Sequence, residues 1–371
     1  MANQSLASAK RSKNDEFYTQ YADIQKEIEA YLDFDTNTFK GKVVYCNCDD
    51  PYESNFFRYF VLNFKKLGLK RLITTSYCPS PVANTQLELL GQPTATPKRK
   101  RRAKATANKF IINKVHKIDD KDEFSLKDVA EQLKANRANE WAPLEGNGDF
   151  RSDECVELLQ QADIVVTNPP FSLFREYVKQ LVDHNKSFAV IGNMNAITYK
   201  EIFPLIKDNK LWLGATGNGT DMVFAVPNGA EIKDSDREKA ARLGYAGDYT
   251  RLGNSCWFTT LDHGRRHYPI PLMTEREVVK FGKGVPFEKY DNYNAIDVSK
   301  TKWIPCDYEG AMGVPISFLD KYSPEQFEII SANDIRTNES VPYKAHGLIK
   351  DKDGTVNGVP TYVRLVIRKR K

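Results

Sequence analysis

The sequence predicts an α/β fold with a mostly parallel sheet, followed by a smaller α+β lobe. Three observations predict it. Short apolar runs at residues 43–46 and 164–166, and the β-forming run Leu-Ile-Thr-Thr at 72–75, carry no polar alternation; strands of this kind are buried on both faces, as in parallel sheets. Residues 41–77 follow a strand-helix-strand rhythm, which calls for a right-handed crossover between parallel strands. From about His263 onward, glycine, proline, tyrosine and charge are mixed with short apolar runs, marking a second lobe over residues 263–371.

At 371 residues, with 41% hydrophobic and 11% aromatic content, the chain can bury a large core. The first residues are polar and small. Then come Asp15, Glu16, Phe17, Tyr18, Thr19 and Gln20, aromatics bracketed by acids and hydroxyls, which locally read as a helix start. Ile24, Ile28 and Tyr31 fall at helical spacing. The strand at 43–46 ends in Cys46, Asn47, Cys48, Asp49, Asp50 and Pro51, and an apolar helix is expected over 55–64. Asp49 and Asp50 suit hydrogen-bonding to an amine or to ribose hydroxyls, while one of them could equally cap the helix. A strand at 71–77 follows.

Residues 79–108 break the rhythm with Pro, Thr, Ala and cations and read as a basic insertion; Lys98, Arg99, Lys100, Arg101, Arg102 and Lys104 put six cations into seven positions. The chain also ends in Arg368, Lys369, Arg370 and Lys371. Such runs suit a polyanion, although a solvated loop and a frayed tail explain them as well. A strand near 110–112 and a helix near 126–133 come next. Gly146, Asn147, Gly148, Asp149 and Phe150 then form a turn bearing an acid and an aromatic ring. After 164–166, a helix over 172–181, a strand at 188–192 and a helix over 199–206 are expected. Short strands near 211–213, 222–226 and 256–260 read as an antiparallel edge, with residues 228–251 as a polar surface excursion.

The six cysteines are scattered without a Cys-x-x-Cys pair, which fits reduced thiols in the cytoplasm. His263 and His267 lie four residues apart with no third ligand nearby, so no metal site is expected. No stretch has the character of a signal peptide or a membrane span.

The chemistry concentrates at residues 167–171. The strand stops at Asn168, Pro169, Pro170 and Phe171; two prolines cannot donate to a ladder and end it in a stiff turn. Asn168 is thereby presented at the carboxyl end of a strand, where open α/β sheets place ligands. The Asn168 side-chain oxygen and the Pro169 carbonyl can both accept from one planar NH2 group, and Phe171 can stack on its ring. An exocyclic amine is a poor nucleophile, because its lone pair is conjugated. Two acceptors set off the base plane favour the sp3 nitrogen of the transition state, with the methyl donor held in line.

Asn168-Pro169-Pro170-Phe171 is the signature of amino-group methyltransferases, and the chain as a whole resembles the EcoRI type of adenine-specific DNA methyltransferase. The resemblance runs through residues 13–20, 43–51, 148–152, 163–177 and 196–201, and in the second lobe through 290–293, 312–316 and 324–328. It implies a Rossmann-like S-adenosylmethionine-dependent methyltransferase sheet over residues 1–262 and an α+β target-recognition lobe over 263–371. It implies that Phe17, Tyr18 and Thr19 lie against the methionine part of S-adenosylmethionine. Asp49 or Asp50 would sit near its amino group or ribose, and Asp149 with Phe150 would hold its adenine. Asn168, at the junction of both ligands, and Pro169, Pro170 and Phe171 would carry the target base. The implied partner is double-stranded DNA with the adenine flipped out, and a cognate restriction endonuclease acting independently. Two features depart from the family pattern: the first strand ends in Cys-Asn-Cys-Asp-Asp in place of a Gly-rich turn, and no acid directly follows the strand at 72–75. A methyltransferase acting on RNA or on a protein glutamine shares the same four-residue signature, and a catalytically silent DNA-binding module could keep the fold.

Overall fold

The computed structural model describes residues 18–48, 54–77, 107–115, 138–216, 222–226, 233–282, 287–291, 293–330, 348–349, 354–361 and 364–371. The chain begins with β1 (Tyr18–Thr19), α1 (Tyr21–Phe34), β2 (Val43–Cys46), α2 (Asn55–Leu62) and β3 (Arg71–Thr75). It continues through β4 (Asn108–Ile112), β5 (Glu140–Pro143), α3 (Asp153–Gln161), β6 (Ile164–Thr167), α4 (Phe174–Asp183) and β7 (Ser187–Asn193). Next come α5 (Phe203–Lys207), β8 (Trp212–Leu213), β9 (Val223–Ala225), α6 (Asp234–Arg242), β10 (Tyr249–Arg251) and β11 (Ser255–Thr259). The last part holds α7 (Glu275–Phe281), β12 (Ala295–Asp297), β13 (Ala311–Pro315), β14 (Phe327–Ile329), β15 (Leu348–Ile349), β16 (Thr355–Val356), β17 (Val359–Pro360) and β18 (Arg364–Lys369).

Eight strands form one mixed sheet in the order β5-β4-β3-β2-β6-β7-β11-β8. Its centre, β3-β2-β6-β7, is parallel, and antiparallel pairs extend both edges. Alternate side chains of the central strands enter two different apolar layers. Val43, Tyr45, Ile73, Val165 and Val190 share one with Leu158 and Leu159 of α3 and with Phe174, Tyr177 and Leu181 of α4. Val44, Cys46, Leu72, Ile164 and Ile191 share the other with Ile24, Ile28 and Tyr31 of α1 and Phe56, Phe57 and Phe60 of α2. Helices on both faces explain why these strands are apolar throughout. The first layer continues into Met312, Val314, Phe318, Leu365 and Ile367 of the C-terminal sheet, ordered β12-β13-β18-β14 with β15 also on β18.

Local chemistry sets the ends. At the amino edge, Asp163 accepts from the Val43 amide at 2.7 Å and donates its own amide to the Val43 carbonyl at 2.9 Å, fixing β2 against β6. Ser54 caps α2 by accepting from Phe56 N, and Ser152 caps α3 by accepting from Cys155 N. Two acids, Asp153 and Glu154, then suit the positive end of the α3 dipole.

Three sequence expectations change. The helix expected from residue 199 begins at Phe203, after a 3-10 segment at Met194–Thr198, because Pro204 fits only the first turn. Residues 228–251 contain α6, with only Ala240 buried, and β10. The strand at 222–226 leaves the large sheet: β9 pairs instead with β1 and β10, while β8 and β11 form the antiparallel edge. The C-terminal cations belong to structure as well. Arg368 pairs with Glu328 at 3.3 Å, Lys369 donates to the Cys306 carbonyl at 2.6 Å and Arg370 to the Pro324 carbonyl at 2.7 Å. The basic run at 98–104 and the helix expected near 126–133 lie outside the described residues. No described helix is long and apolar enough to cross a membrane.

Candidate active site

Strand order reverses at the β2/β6 boundary while the strands stay parallel: β2 is followed in sequence by β3 on one side, and β6 by β7 on the other. The carboxyl ends of β2 and β6 therefore lie side by side at a point where α/β sheets leave a crevice. Thr167, the last residue of β6, donates its hydroxyl to the Asn47 carbonyl just past β2. Cys48 then adopts φ 63°, the left-handed turn that a glycine usually supplies. The departure from a Gly-rich turn is thus a departure in sequence, while the backbone still turns sharply.

Asn168 is half-buried and Pro169 buried beyond Thr167. Pro170 sits at φ −55°, ψ 124° and accepts from Leu173 N at 3.0 Å, closing the 3-10 turn Phe171–Leu173. Phe171 is half-exposed, its inner side against the α1/α2 apolar layer. α4 then anchors the turn from below. Phe174 lies over Gly192 of β7, where an added Cβ would come within 2.5 Å of the ring. Tyr177 donates its hydroxyl to the Asn47 side-chain oxygen. Arg175 lies 4.8 Å from the Tyr199 ring centroid, bringing the 196–201 stretch beside the same helix.

The turn at 148–150 joins this cluster from the β3 side. Gly148, at φ 77°, packs so closely that a Cβ would fall 2.0 Å from the Ser76 carbonyl oxygen just past β3; no other residue fits. Phe150 is 3% exposed, edge-on to Tyr177 at 5.0 Å, and its carbonyl accepts from Gln180 of α4 at 3.0 Å. Asp149 stays nearer the surface. Arg151 Nε and Nη2 donate to its two oxygens at 2.9 and 2.7 Å, and Nη1 reaches Glu176 of α4 at 2.9 Å. The Arg151 hydrogen bonds hold the Asp149 carboxyl below its ordinary range, so it is ionised at neutral pH.

On the other side, Tyr18 and Thr19 of β1 pair with Ala225 and Phe224 of β9. The Asn55 side chain at the start of α2 donates to the Thr19 carbonyl at 2.8 Å, tying β1 to the chain that leaves β2. The Thr19 hydroxyl is buried and has no hydrogen-bond partner among the described residues. A ligand with a polar tail reaching β1 would satisfy it. Phe17, Asp49 and Asp50 lie outside the described residues. Of the other residues singled out from sequence, Thr19, Asp149, Phe150, Asn168, Pro169, Pro170 and Phe171 thus stand on segments linked around the carboxyl ends of β3, β2 and β6. Asn47, Arg151, Tyr177 and Gln180 were not singled out. Only the Ser152 cap and α4 periodicity hinted at the last three; Asn47 carried no local signal.

The two histidines serve different neighbours. His263 Nε2 lies 3.0 Å from the Leu213 carbonyl, and burial pushes its pKa down to about 4. His267 sits between Glu325 at 2.6 Å and Asp262 at 3.0 Å. No group of three or more metal-ligating side chains occurs among the described residues.

A mixed α/β sheet with an Asn-Pro-Pro-Phe turn at the carboxyl end of a central strand defines an amino-group methyltransferase. Comparison with known proteins gives the family. The family model described as adenine-specific methyltransferase EcoRI matches residues 5–370. The type II methyltransferase M.EcoRI of Escherichia coli is 42% identical over 375 residues, covering 100% of this chain and 97% of that protein. M.MpnI, a type II methyltransferase of Mycoplasma pneumoniae, is 36% identical over 372 residues, covering 98% and 97%. No solved structure matches. The chain belongs to the EcoRI family and is an adenine-specific DNA methyltransferase.

Proposed function

We propose that the chain transfers the methyl group of S-adenosylmethionine to N6 of an adenine flipped out of duplex DNA, as the modification activity of a type II restriction-modification pair. The observation that carries this reading is Asn168 at the carboxyl end of β6, beside the end of β2 and backed by α4. The parallel centre of the sheet, with helices on both faces, supports a Rossmann-like methyltransferase domain over residues 1–262, with 79–108 as a basic insertion. Residues 263–371 would be the target-recognition lobe. Double-stranded DNA is the partner, a cognate endonuclease would act separately on the same sites, and the cytoplasm is the compartment. The family match disfavours an RNA base or a protein glutamine as acceptor.

The donor set fits the cofactor. The Thr19 hydroxyl, without a hydrogen-bond partner among the described residues, and the preceding Phe17 and Tyr18 would face its methionine part. Asp49 or Asp50 would serve its amino group or ribose, and the ionised Asp149 beside Phe150 its adenine amine. Bound S-adenosylmethionine supplies an electrophilic methyl group. Asn168 Oδ1 and the Pro169 carbonyl accept the two N6 protons of the target adenine, drawing the nitrogen toward sp3 geometry. Phe171 stacks on the extruded base and offsets part of the few kcal/mol that extrusion costs. The extra N6 proton leaves after transfer, so no side chain has to act as base. Asn168→Ala should abolish transfer from labelled cofactor to duplex DNA while cofactor affinity by calorimetry falls less than about threefold. Turnover within tenfold of the parent protein would refute the role of Asn168.

A further inference from the structure

The second lobe carries a surface whose composition neither the fold nor the site explains. α7 runs alongside residues 301–307. Glu275 N donates to Asp307 at 2.8 Å and Cys306 N to the Met273 carbonyl at 2.8 Å, which fixes the amino end of the helix. At the carboxyl end, Gly282 is buried, and a Cβ there would lie 3.8 Å from Trp303 Cε2. The end of α7 thus rests against the 3-10 turn Thr301–Trp303.

Phe281, the last residue of α7, is 66% exposed, and Trp303 beside it is half-exposed. Three exposed lysines surround these rings. Lys280 Nζ lies 5.5 Å from the Phe281 centroid, and Lys300 and Lys302 lie 4.5 and 5.8 Å from that of Trp303. Residues 278–282 and 298–304 contain these three cations and no acid. None of the three forms an ion pair among the described residues. The nearest acid along the helix, Glu277, accepts from Thr274 in a capping box and feels the charge of Lys280 without forming an ion pair with it. Some surface lysines do have acids, as Lys179 has Asp183 and Lys239 has Asp236, whereas these three cluster beside exposed rings without one. An exposed ring and a half-exposed one, each flanked by ammonium groups without an ion pair among the described residues, match a ligand with closely spaced negative charges and flat apolar faces between them.

We propose that Lys280, Lys300 and Lys302 form a docking surface for the phosphate backbone of duplex DNA, with Phe281 packing on its sugars or bases. This rests on the reading that duplex DNA is the substrate. Arg368, Lys369 and Arg370 of the C-terminal basic run are engaged within the fold, whereas Lys280, Lys300 and Lys302 form no ion pair among the described residues.

The test measures duplex affinity by fluorescence anisotropy over a salt series, with methyl transfer on the same duplex. The proteins are the parent, a Lys280→Ala/Lys300→Ala/Lys302→Ala triple variant, Phe281→Ser, and a Lys65→Ala/Lys66→Ala/Lys70→Ala control. The control lysines lie before β3, at the amino end of the sheet. Three lost phosphate contacts should flatten the slope of log K against log salt by about 2.7. KM for DNA should rise while kcat at saturating DNA stays within threefold. Phe281→Ser should lower affinity several-fold with an unchanged slope. A slope unchanged in the surface triple, or changed equally in the control triple, overturns the proposal. A parent protein that neither binds nor methylates duplex DNA would refute the reading beneath it instead.

Discussion

Gly192→Ala isolates the mechanical link between the sheet and the Asn168 turn. The new Cβ would sit 2.5 Å from Phe174 Cε2 and 2.6 Å from Cζ. Carbon atoms in contact settle at about 3.5–4.0 Å, so the ring must retreat by about 1 Å. Phe174 is 2% exposed and packs against Phe258 at 5.0 Å, which leaves little room. Overpacking of this kind costs about 1–3 kcal/mol. Phe174 is also the first residue of α4, directly after the turn Phe171–Leu173, so the retreat is passed to Asn168. A shift of about 1 Å in a positioning element can cost about 100-fold in rate. Urea unfolding and single-turnover methyl transfer should show both effects. Phe174→Leu in the same background should lose less than the sum of the single changes, because the two side chains share one space. Parental stability and rate in Gly192→Ala would refute the argument.

Three further outcomes follow from neighbouring contacts. Arg151→Met releases Asp149 from its guanidinium; the KM for cofactor should rise about tenfold with kcat nearly kept, whereas a pure kcat loss would contradict the assignment of Asp149 to the cofactor. Glu27 is fully buried and accepts from Tyr31, Ala215 N and both Thr216 donors, so Glu27→Gln turns an NH2 toward donors and should cost about 1–3 kcal/mol in urea unfolding; an unchanged midpoint would contradict this. His267 has its pKa raised, chiefly by its hydrogen bond to Glu325. Its contribution is therefore fully present below the unfolded value near 6.5 and is lost as pH rises through the folded value. His267→Gln should destabilise more at pH 6 than at pH 9, the difference staying under about 1 kcal/mol because the group is partly exposed; the ring's stacking on Phe34 is lost at both. The reverse pH trend would exclude the ion pairs as its cause.

Strands 43–46, 164–167 and 187–193 were legible because burial on both faces makes them apolar at most positions, and 71–75 because Leu72, Ile73, Thr74 and Thr75 are β-formers in step with the helix before them. β10 was not, since Tyr249–Arg251 is held by backbone pairing to β9 and its side chains show no pattern. α6 escaped notice because a helix with one buried residue has no apolar stripe. α3 had its signals, Ser152 as cap with Cys155, Leu158 and Leu159 at helical spacing, and could have been found. At the site, Asn168 and Asp149 announce themselves through prolines and glycines beside them. Asn47 gains its place only when β2 and β6 pair across 120 residues, a contact no local pattern encodes. At Cys46-Asn47-Cys48 the backbone itself answers for the missing glycine: Cys48 takes the positive φ.

The most direct test of the account uses labelled S-adenosylmethionine and duplex DNA, followed by digestion to nucleosides and separation. The account predicts label in N6-methyladenine alone with the parent protein, and none with Asn168→Ala. Label in N4-methylcytosine, or N6-methyladenine made by Asn168→Ala at the parental rate, would contradict it.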